Sequence, residues 1–85
     1  PLPAPASVTS NFQDRSRIVL NWTAVTGAAD YEILRDGVVI ANDADRWFTD
    51  LNLPAGTTFT YEIRALAADG TPGELSDPIT LSTLP

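Results

Sequence analysis

The sequence predicts an all-β domain in which two antiparallel sheets pack face to face. Apolar and β-branched residues alternate with polar residues in short runs, and turn-forming residues separate these runs. No stretch has the spacing of an amphipathic helix. Seven short strands with few large side chains fit two stacked sheets better than a closed barrel, because stacking buries one alternating face of each sheet.

Length and composition restrict the chain to one small domain and exclude several functions. Its 85 residues support one modest core, and cysteine and histidine are absent. Eleven acidic residues against five arginines give a net charge of −6, which argues against a nucleic-acid partner. No apolar run approaches the ~20 residues of a membrane span. We expect no cofactor, and we expect a monomer.

The first half of the chain predicts four strands. Residues 8–12 form a weak first strand, in which Val8, Ser10 and Phe12 share one face. Residues 17–22 form a stronger second strand, and the third lies around residues 31–33. Asp36-Gly37 then predicts a tight hairpin, because both residues tolerate a positive φ, and residues 38–41 form the returning strand.

The second half predicts three more strands. Residues 47–49 form a short strand after the polar loop 42–45, and residues 57–67 form the longest strand of the chain. The last strand contains Ile79 and Leu81, and Pro78 before it suits the edge of a sheet. The inward positions of these strands, with Leu53, predict a core of Ile18, Leu20, Trp22, Tyr31, Ile33, Phe48, Leu53, Phe59, Tyr61, Ile63 and Ile79.

Two segments carry a resemblance to a known family. Residues 20–28 (LNWTAVTGA) and 31–37 (YEILRDG) resemble the B–C region of fibronectin type III domains, and residues 53–65 (LPAGTTFTYEIRA) resemble their E–F corner and F strand. The resemblance extends from about Ala6 to Thr83. It implies a seven-stranded, immunoglobulin-like antiparallel β-sandwich.

The chain departs from the family pattern at the E–F corner. Leu53 and Pro54 are adjacent, where the family has Leu-x-Pro. Phe59 stands where the family has the corner tyrosine, whose hydroxyl bonds back to the backbone. We therefore expect this hydrogen bond to be absent or replaced.

The sequences of these motifs are similar to those of type III modules in bacterial secreted, multidomain, carbohydrate-active proteins. The resemblance implies an extracellular, non-catalytic accessory module that spaces its neighbours in a polysaccharide-degrading enzyme. The alternative is a protein- or glycan-binding module that uses Trp47 or the loops at residues 26–27 and 69–72. The partners would be flanking domains of the same chain or, in the alternative, a glycan or protein. Residues 1–6, with proline at every second position, predict a linker, and residues 7–84 form the domain.

Catalytic and metal chemistry have little support in the sequence. A nucleophile needs a nearby base, and the chain has no histidine, cysteine or lysine, so we predict no catalytic residue. Asn42, Asp43, Asp45 and Asp50 raise the question of a calcium site, since calcium prefers oxygen ligands. They lack a calcium-loop spacing, and a solvated acidic loop is the favoured interpretation, so no metal ligand is predicted.

Trp47 is the candidate binding residue. Phe48 occupies the inward position of its strand, so alternation points Trp47 outward. An exposed tryptophan can stack on a sugar or anchor a protein, or it can lie under a guanidinium such as that of Arg46 or Arg64. One aromatic side chain does not make a platform, which favours the structural role.

Overall fold

The computed structural model describes residues 1–85 and confirms the predicted two-layer sandwich. A three-stranded sheet has the order β1-β2-β5, a four-stranded sheet has the order β4-β3-β6-β7, and every strand pair is antiparallel. No helix is long and apolar enough to cross a lipid bilayer. The strands are β1 (Thr9–Gln13), β2 (Ile18–Asn21), β3 (Asp30–Arg35), β4 (Val38–Asp43), β5 (Trp47–Asp50), β6 (Thr58–Leu66) and β7 (Ile79–Ser82).

The core lies between the two sheets and closely follows the predicted positions. Eight of the eleven predicted core side chains are buried, and Ala65 joins them. Phe48, Phe59 and Ile79 pack against this cluster but remain partly exposed. Trp22 meets Tyr31 edge-on, with ring centroids 5.5 Å apart and an interplanar angle of 66°. Such edge-to-face packing is favourable because the positive edge of one ring faces the negative face of the other.

The predicted hairpin and edge strand are both present. Asp36 and Gly37 connect β3 to β4 with φ values of 51° and 83°, as a tight hairpin turn requires. Asp36 also joins the neighbouring strand, because its Oδ1 accepts a hydrogen bond from the backbone N–H of Thr60 at 2.9 Å. Strand β7, which follows Pro78, lies at the edge of its sheet.

Both terminal segments lie against the sandwich, at opposite ends of its strands. At one end Leu2 O accepts a hydrogen bond from Glu74 N, beyond the end of β6. At the other end Leu84 O accepts one from Gly56 N, which precedes β6. The molecule measures 40 × 20 × 18 Å, an elongated shape.

Candidate functional site

Trp47 lies on the outer surface of the three-stranded sheet, as predicted. Strand β5 is an edge strand whose Trp47 pairs with Asn21 of β2, and the Trp47 side chain is 54% exposed. The next residue, Phe48, pairs with the fully buried Leu20 and faces the core. Alternation along the strand therefore places these two aromatic rings on opposite faces of the sheet.

The predicted guanidinium cover over Trp47 is not present. Arg64 lies in the opposite sheet, where its Nε donates a hydrogen bond to Glu32 Oε1, so its placement beside Trp47 was wrong. The guanidinium groups that lie over aromatic rings belong to Arg17, over Phe12, and Arg35, over Phe59. Arg46 does not cover the indole either, so Trp47 lacks the cation–π contact that would account for it structurally.

Phe12 is a second exposed aromatic residue on the same face. Uniform alternation predicts that Phe12 shares a face with Val8, but the pairing of β1 with β2 shifts between Thr9 and Phe12. An irregularity of this kind inserts a residue and reverses the alternation beyond it. Phe12 consequently pairs with the outward-facing Val19 and is 46% exposed, whereas Val8 packs against the core, so the predicted shared face is wrong. The sequence gives no clear signal of this shift.

The strand residues around these two rings are uncharged, and the charged groups beside Phe12 are Arg17 and Asp14, which pair with each other. Asn21 Nδ2 donates a hydrogen bond to Asn11 Oδ1 at 3.2 Å, which places both amides between the aromatic residues. We use the term outer face for the outward residues of the three-stranded sheet, which are Thr9, Asn11, Phe12, Val19, Asn21, Trp47 and Thr49. None of them is ionisable, although 19% of the chain consists of charged residues.

The acidic residues considered for calcium do not converge. Asp43 ends β4 and accepts a hydrogen bond from Asp45 N, whereas Asp50 ends β5 and is buried. No group of three or more acidic side chains is close enough to hold a metal ion. Asp43, Asp45 and Asp50 therefore do not come together, because the length of β5 separates Asp45 from Asp50.

Asp50 instead joins the two sheets. Its carboxylate accepts hydrogen bonds from Arg35 Nη1 at 2.9 Å and from the Tyr61 hydroxyl at 2.6 Å, and both donors belong to the opposite sheet. Burial, followed by the hydrogen bond to Asp50, raises the pKa of Tyr61 well above its ordinary range. The hydrogen bond to Asp50 also raises the pKa of Arg35. Arg35 and Tyr61 are both hydrogen-bonded to Asp50, so the three side chains stabilise the contact between the sheets and have a structural role.

The E–F corner has a replacement for the missing tyrosine hydroxyl. Thr83 is 3% exposed, and its Oγ1 donates to Pro54 O at 2.7 Å and accepts from Thr57 N at 3.0 Å. The backbone of the corner is therefore hydrogen-bonded by Thr83 of the C-terminal segment, and not by the side chain at position 59. Sequence reasoning missed this role, because a threonine near a chain end is not distinctive.

The residues predicted as a linker occupy part of the loop surface considered for binding. Leu2 packs against the core, Pro5 is buried, and Ala6 O accepts a hydrogen bond from Thr23 N at 3.0 Å. A Cβ atom at Gly27 would lie 3.2 Å from Leu2 Cδ2, and one at Gly73 would lie 2.7 Å from Leu2 O. The loop at residues 26–27 and the segment following residues 69–72 thus contact the chain's own N-terminal segment.

A shallow groove is the main concave feature of the surface. It has a volume of about 430 Å³ and lies between residues 5–8 and residues 76–79. Asp77 is its one ionisable side chain. The groove therefore lacks the nucleophile–base pair that covalent catalysis requires.

Comparisons with known proteins give the chain both sequence relatives and structural neighbours. It is 35% identical over 81 residues to the poly(3-hydroxybutyrate) depolymerase of Delftia acidovorans. It is 33% identical over 84 residues to Chitinase 63 of Streptomyces plicatus. These matches cover 88% and 94% of this chain, but it spans only 16% and 14% of the length of the two relatives. No family model matches the sequence.

A solved structure covers the whole sandwich. The fibronectin type III domain of human fibronectin type III domain containing protein 3 superposes with a TM-score of 0.83 at 18% identity. The superposition covers 96% of this chain and 85% of that domain, so the architecture is shared from end to end. The chain therefore has the fibronectin type III fold, and the sequences that it resembles are segments of larger bacterial enzymes.

Proposed function

We propose that the chain is a non-catalytic accessory module that sets the distance and orientation of flanking domains in an extracellular, polymer-degrading bacterial enzyme. The relatives support the context, because the matching region is a small part of a chitinase or a depolymerase. The absence of histidine, cysteine and lysine supports the lack of catalysis. The module works as a monomer whose partners are its neighbours in the same chain.

The observation that carries this proposal is the docking of both terminal segments onto opposite ends of the sandwich. At the N-terminal end, the Leu2 and Ala6 carbonyls accept backbone hydrogen bonds from Glu74 and Thr23, both at 3.0 Å. At the C-terminal end, Leu84 bonds to Gly56 and Asp14 through its carbonyl and its N–H, both at 2.9 Å. A neighbour attached at either end would therefore leave the domain in a defined direction, separated from the other by the long dimension of 40 Å.

The proposal is tested by the backbone mobility of residues 2–6. Nitrogen-15 relaxation of the chain should give order parameters near ~0.85 for Leu2, Ala4 and Ala6, the value of rigid backbone. Leu2→Ala removes the apolar contact and should lower these values towards those of a flexible tail, below ~0.6. Leu51→Ala, which truncates a leucine that is 54% exposed, is the matched control and should leave them unchanged. Order parameters below ~0.6 in the unaltered chain would contradict the rigid-spacer role.

Spacing itself is measured with a fluorescent protein fused to each terminus. Energy transfer and small-angle scattering should report one narrow distance distribution for the unaltered domain. Gly73→Ala should broaden this distribution, because the new Cβ would lie 2.7 Å from Leu2 O and displace the N-terminal segment. A distribution equally broad in both proteins would count against the proposal.

A further inference from the structure

We propose that the outer face binds an extended, uncharged polysaccharide chain, with Trp47 and Phe12 as stacking platforms. The two side chains are 54% and 46% exposed on one face of the three-stranded sheet. An exposed aromatic side chain does not gain the free energy of burying its apolar surface, which amounts to roughly 150–250 Å² for each residue. Two of them on one face, with amide groups between them, form a surface suited to a ligand that has both apolar and hydroxyl-bearing sides.

The aromatic rings match the chemistry of a pyranose ring. The axial C–H groups of a sugar form an apolar patch with slight positive charge, and the face of an aromatic ring carries slight negative charge. Trp47 has no guanidinium over its indole, so both the ring and its edge remain available. One side of Phe12 is covered by Arg17, whose Cζ lies 5.4 Å from the ring centroid, and Arg17 is itself paired with Asp14.

The polar groups of the outer face match the hydroxyl groups of a neutral sugar. The amides of Asn11 and Asn21 and the hydroxyls of Thr9 and Thr49 both donate and accept hydrogen bonds. Apart from the Arg17–Asp14 ion pair beside Phe12, the face has no carboxylate and no basic group, although the net charge of the chain is −6. An anionic polymer would find only Arg17, which Asp14 already neutralises, and would be repelled by the rest of the molecule. Complementarity in charge therefore favours an uncharged ligand.

The spacing of the two rings sets the length of the ligand. Phe12 and Trp47 lie on the two strands that flank β2, and their partners Val19 and Asn21 are two residues apart. Strand spacing and residue rise place their backbones about 12 Å apart along a diagonal. A single sugar ring cannot contact both platforms, so the ligand is an oligosaccharide or a polymer. Strands β1 and β5 are the two edge strands of this sheet, so the diagonal crosses the face from one edge to the other, which suits an internal segment of a chain.

This inference rests on the proposed function, because an accessory module in a polymer-degrading enzyme is where such a face would be of use. It adds that the module holds the polymer as well as spacing its neighbours. The spacer role and the polysaccharide-binding role can be disproved independently of each other. A domain that binds no polysaccharide could still be a rigid spacer, and one with mobile termini could still bind.

The direct test is co-sedimentation of the chain with insoluble chitin, amorphous cellulose and insoluble starch, with poly(3-hydroxybutyrate) powder as a non-carbohydrate comparison. We expect binding to at least one polysaccharide that does not weaken with salt. Trp47→Ala should reduce the affinity roughly tenfold, as truncation of an anchoring aromatic does, and Phe12→Ala should also weaken it. Val38→Ala truncates a residue that is 63% exposed in the opposite sheet and should have no effect. Circular dichroism confirms that each variant is folded.

Three results would overturn the proposal. They are the absence of binding to all three polysaccharides, binding that survives the double variant Phe12→Ala/Trp47→Ala, and binding confined to the polyester. A second measurement uses tryptophan fluorescence, since Trp22 is 5% exposed and Trp47 is 54% exposed. A hexasaccharide of the bound polymer should protect Trp47 from acrylamide quenching, whereas the monosaccharide should not. Equal protection by both sugars would contradict the extended site.

Discussion

Trp22 lies at the centre of the sandwich, and its indole N–H has no hydrogen-bond partner although the side chain is buried. An unpaired buried donor costs about 1–3 kcal/mol. The ring remains in place because its apolar area and its edge-on contact with Tyr31 outweigh that cost. The residue therefore combines a large favourable contribution with a smaller unfavourable one.

These opposing contributions lead to the first prediction. Trp22→Ala should lower the free energy of unfolding by roughly 3–5 kcal/mol, because it leaves a large cavity. A domain of this length has a total stability of about 4–13 kcal/mol, so the variant should be close to unfolding. Trp22→Phe should cost less, because it fills part of the space and removes the unpaired donor. Urea denaturation compares them, and equal losses for the two variants would contradict this explanation.

Tyr61 leads to a prediction about alkaline pH. Its hydroxyl is buried against Asp50, and its pKa in the folded protein is raised above the ordinary value of 10.0. Above about pH 10 the unfolded chain releases this proton and the folded chain keeps it, so stability should fall as the pH rises. The slope should approach ~1.4 kcal/mol per pH unit for one proton.

The control for this effect is Tyr61→Phe. This variant should be less stable at neutral pH, because Asp50 loses a hydrogen bond, but its stability should fall less steeply above about pH 10. Tyr31 is present in both proteins and therefore does not distinguish them. Urea midpoints at a series of pH values provide the measurement. Parallel curves for the two proteins would exclude Tyr61 as the source.

At the scale of the elements, Gly37 in the β3–β4 hairpin shows how a substitution can destabilise a turn without any steric clash. A Cβ added at Gly37 would meet no atom within 4 Å, yet the φ of Gly37 is 83°. Gly37→Ala should therefore cost about 1–2 kcal/mol from backbone conformation alone. Thermal unfolding measures the loss, and Gly37→Asn is the control, since asparagine tolerates a positive φ better than alanine does. An alanine variant as stable as the asparagine variant would contradict the conformational explanation.

The strands and most of the core could be predicted because period-two alternation is a local property of the sequence. The residues of β6 follow directly from it, and the Asp36-Gly37 turn follows from an equally local signal, two residues that tolerate a positive φ. The orientation of Phe12 could not, because it depends on a shift in pairing that only the partner strand defines. The burial of Asp50 was missed, although its parity with the inward-facing Phe48 was a signal that could have found it.

The candidate site was predictable only in part, for the same reason. The exposure of Trp47 follows from its neighbour Phe48, but the outer face needs three strands that are distant in sequence. Thr83 and Leu2 act through contacts with residues 25 or more positions away, for which the sequence gives no local signal. Long-range contacts of this kind determine both the conformation of the E–F corner and the docking of the N-terminal segment.

At the scale of the whole molecule, the excess of acidic residues should make stability depend on salt. Arginines 17, 35 and 64 are paired with carboxylates, so most acidic side chains have no cationic partner. Raising sodium chloride from about 0.01 M to about 1 M shortens the Debye length from ~30 to ~3 Å. The melting temperature should therefore rise, because repulsion between like charges is screened.

A variant with fewer charges provides the control for the salt effect. Asp45→Asn/Glu62→Gln removes two negative charges from side chains that form no ion pair, and changes the net charge from −6 to −4. Its melting temperature should rise less with salt than that of the unaltered chain. An identical rise in both proteins would show that the effect comes from salt acting on apolar burial instead.

The central position of Asn21 on the outer face affects how the protein should be produced. Asn21-Trp22-Thr23 is an acceptor sequence for N-linked glycosylation in eukaryotic secretory hosts. Oligosaccharide attached there would stand between Phe12 and Trp47 and shield both rings. Bacterial expression avoids this modification, and the absence of cysteine means that no oxidising compartment is needed for folding.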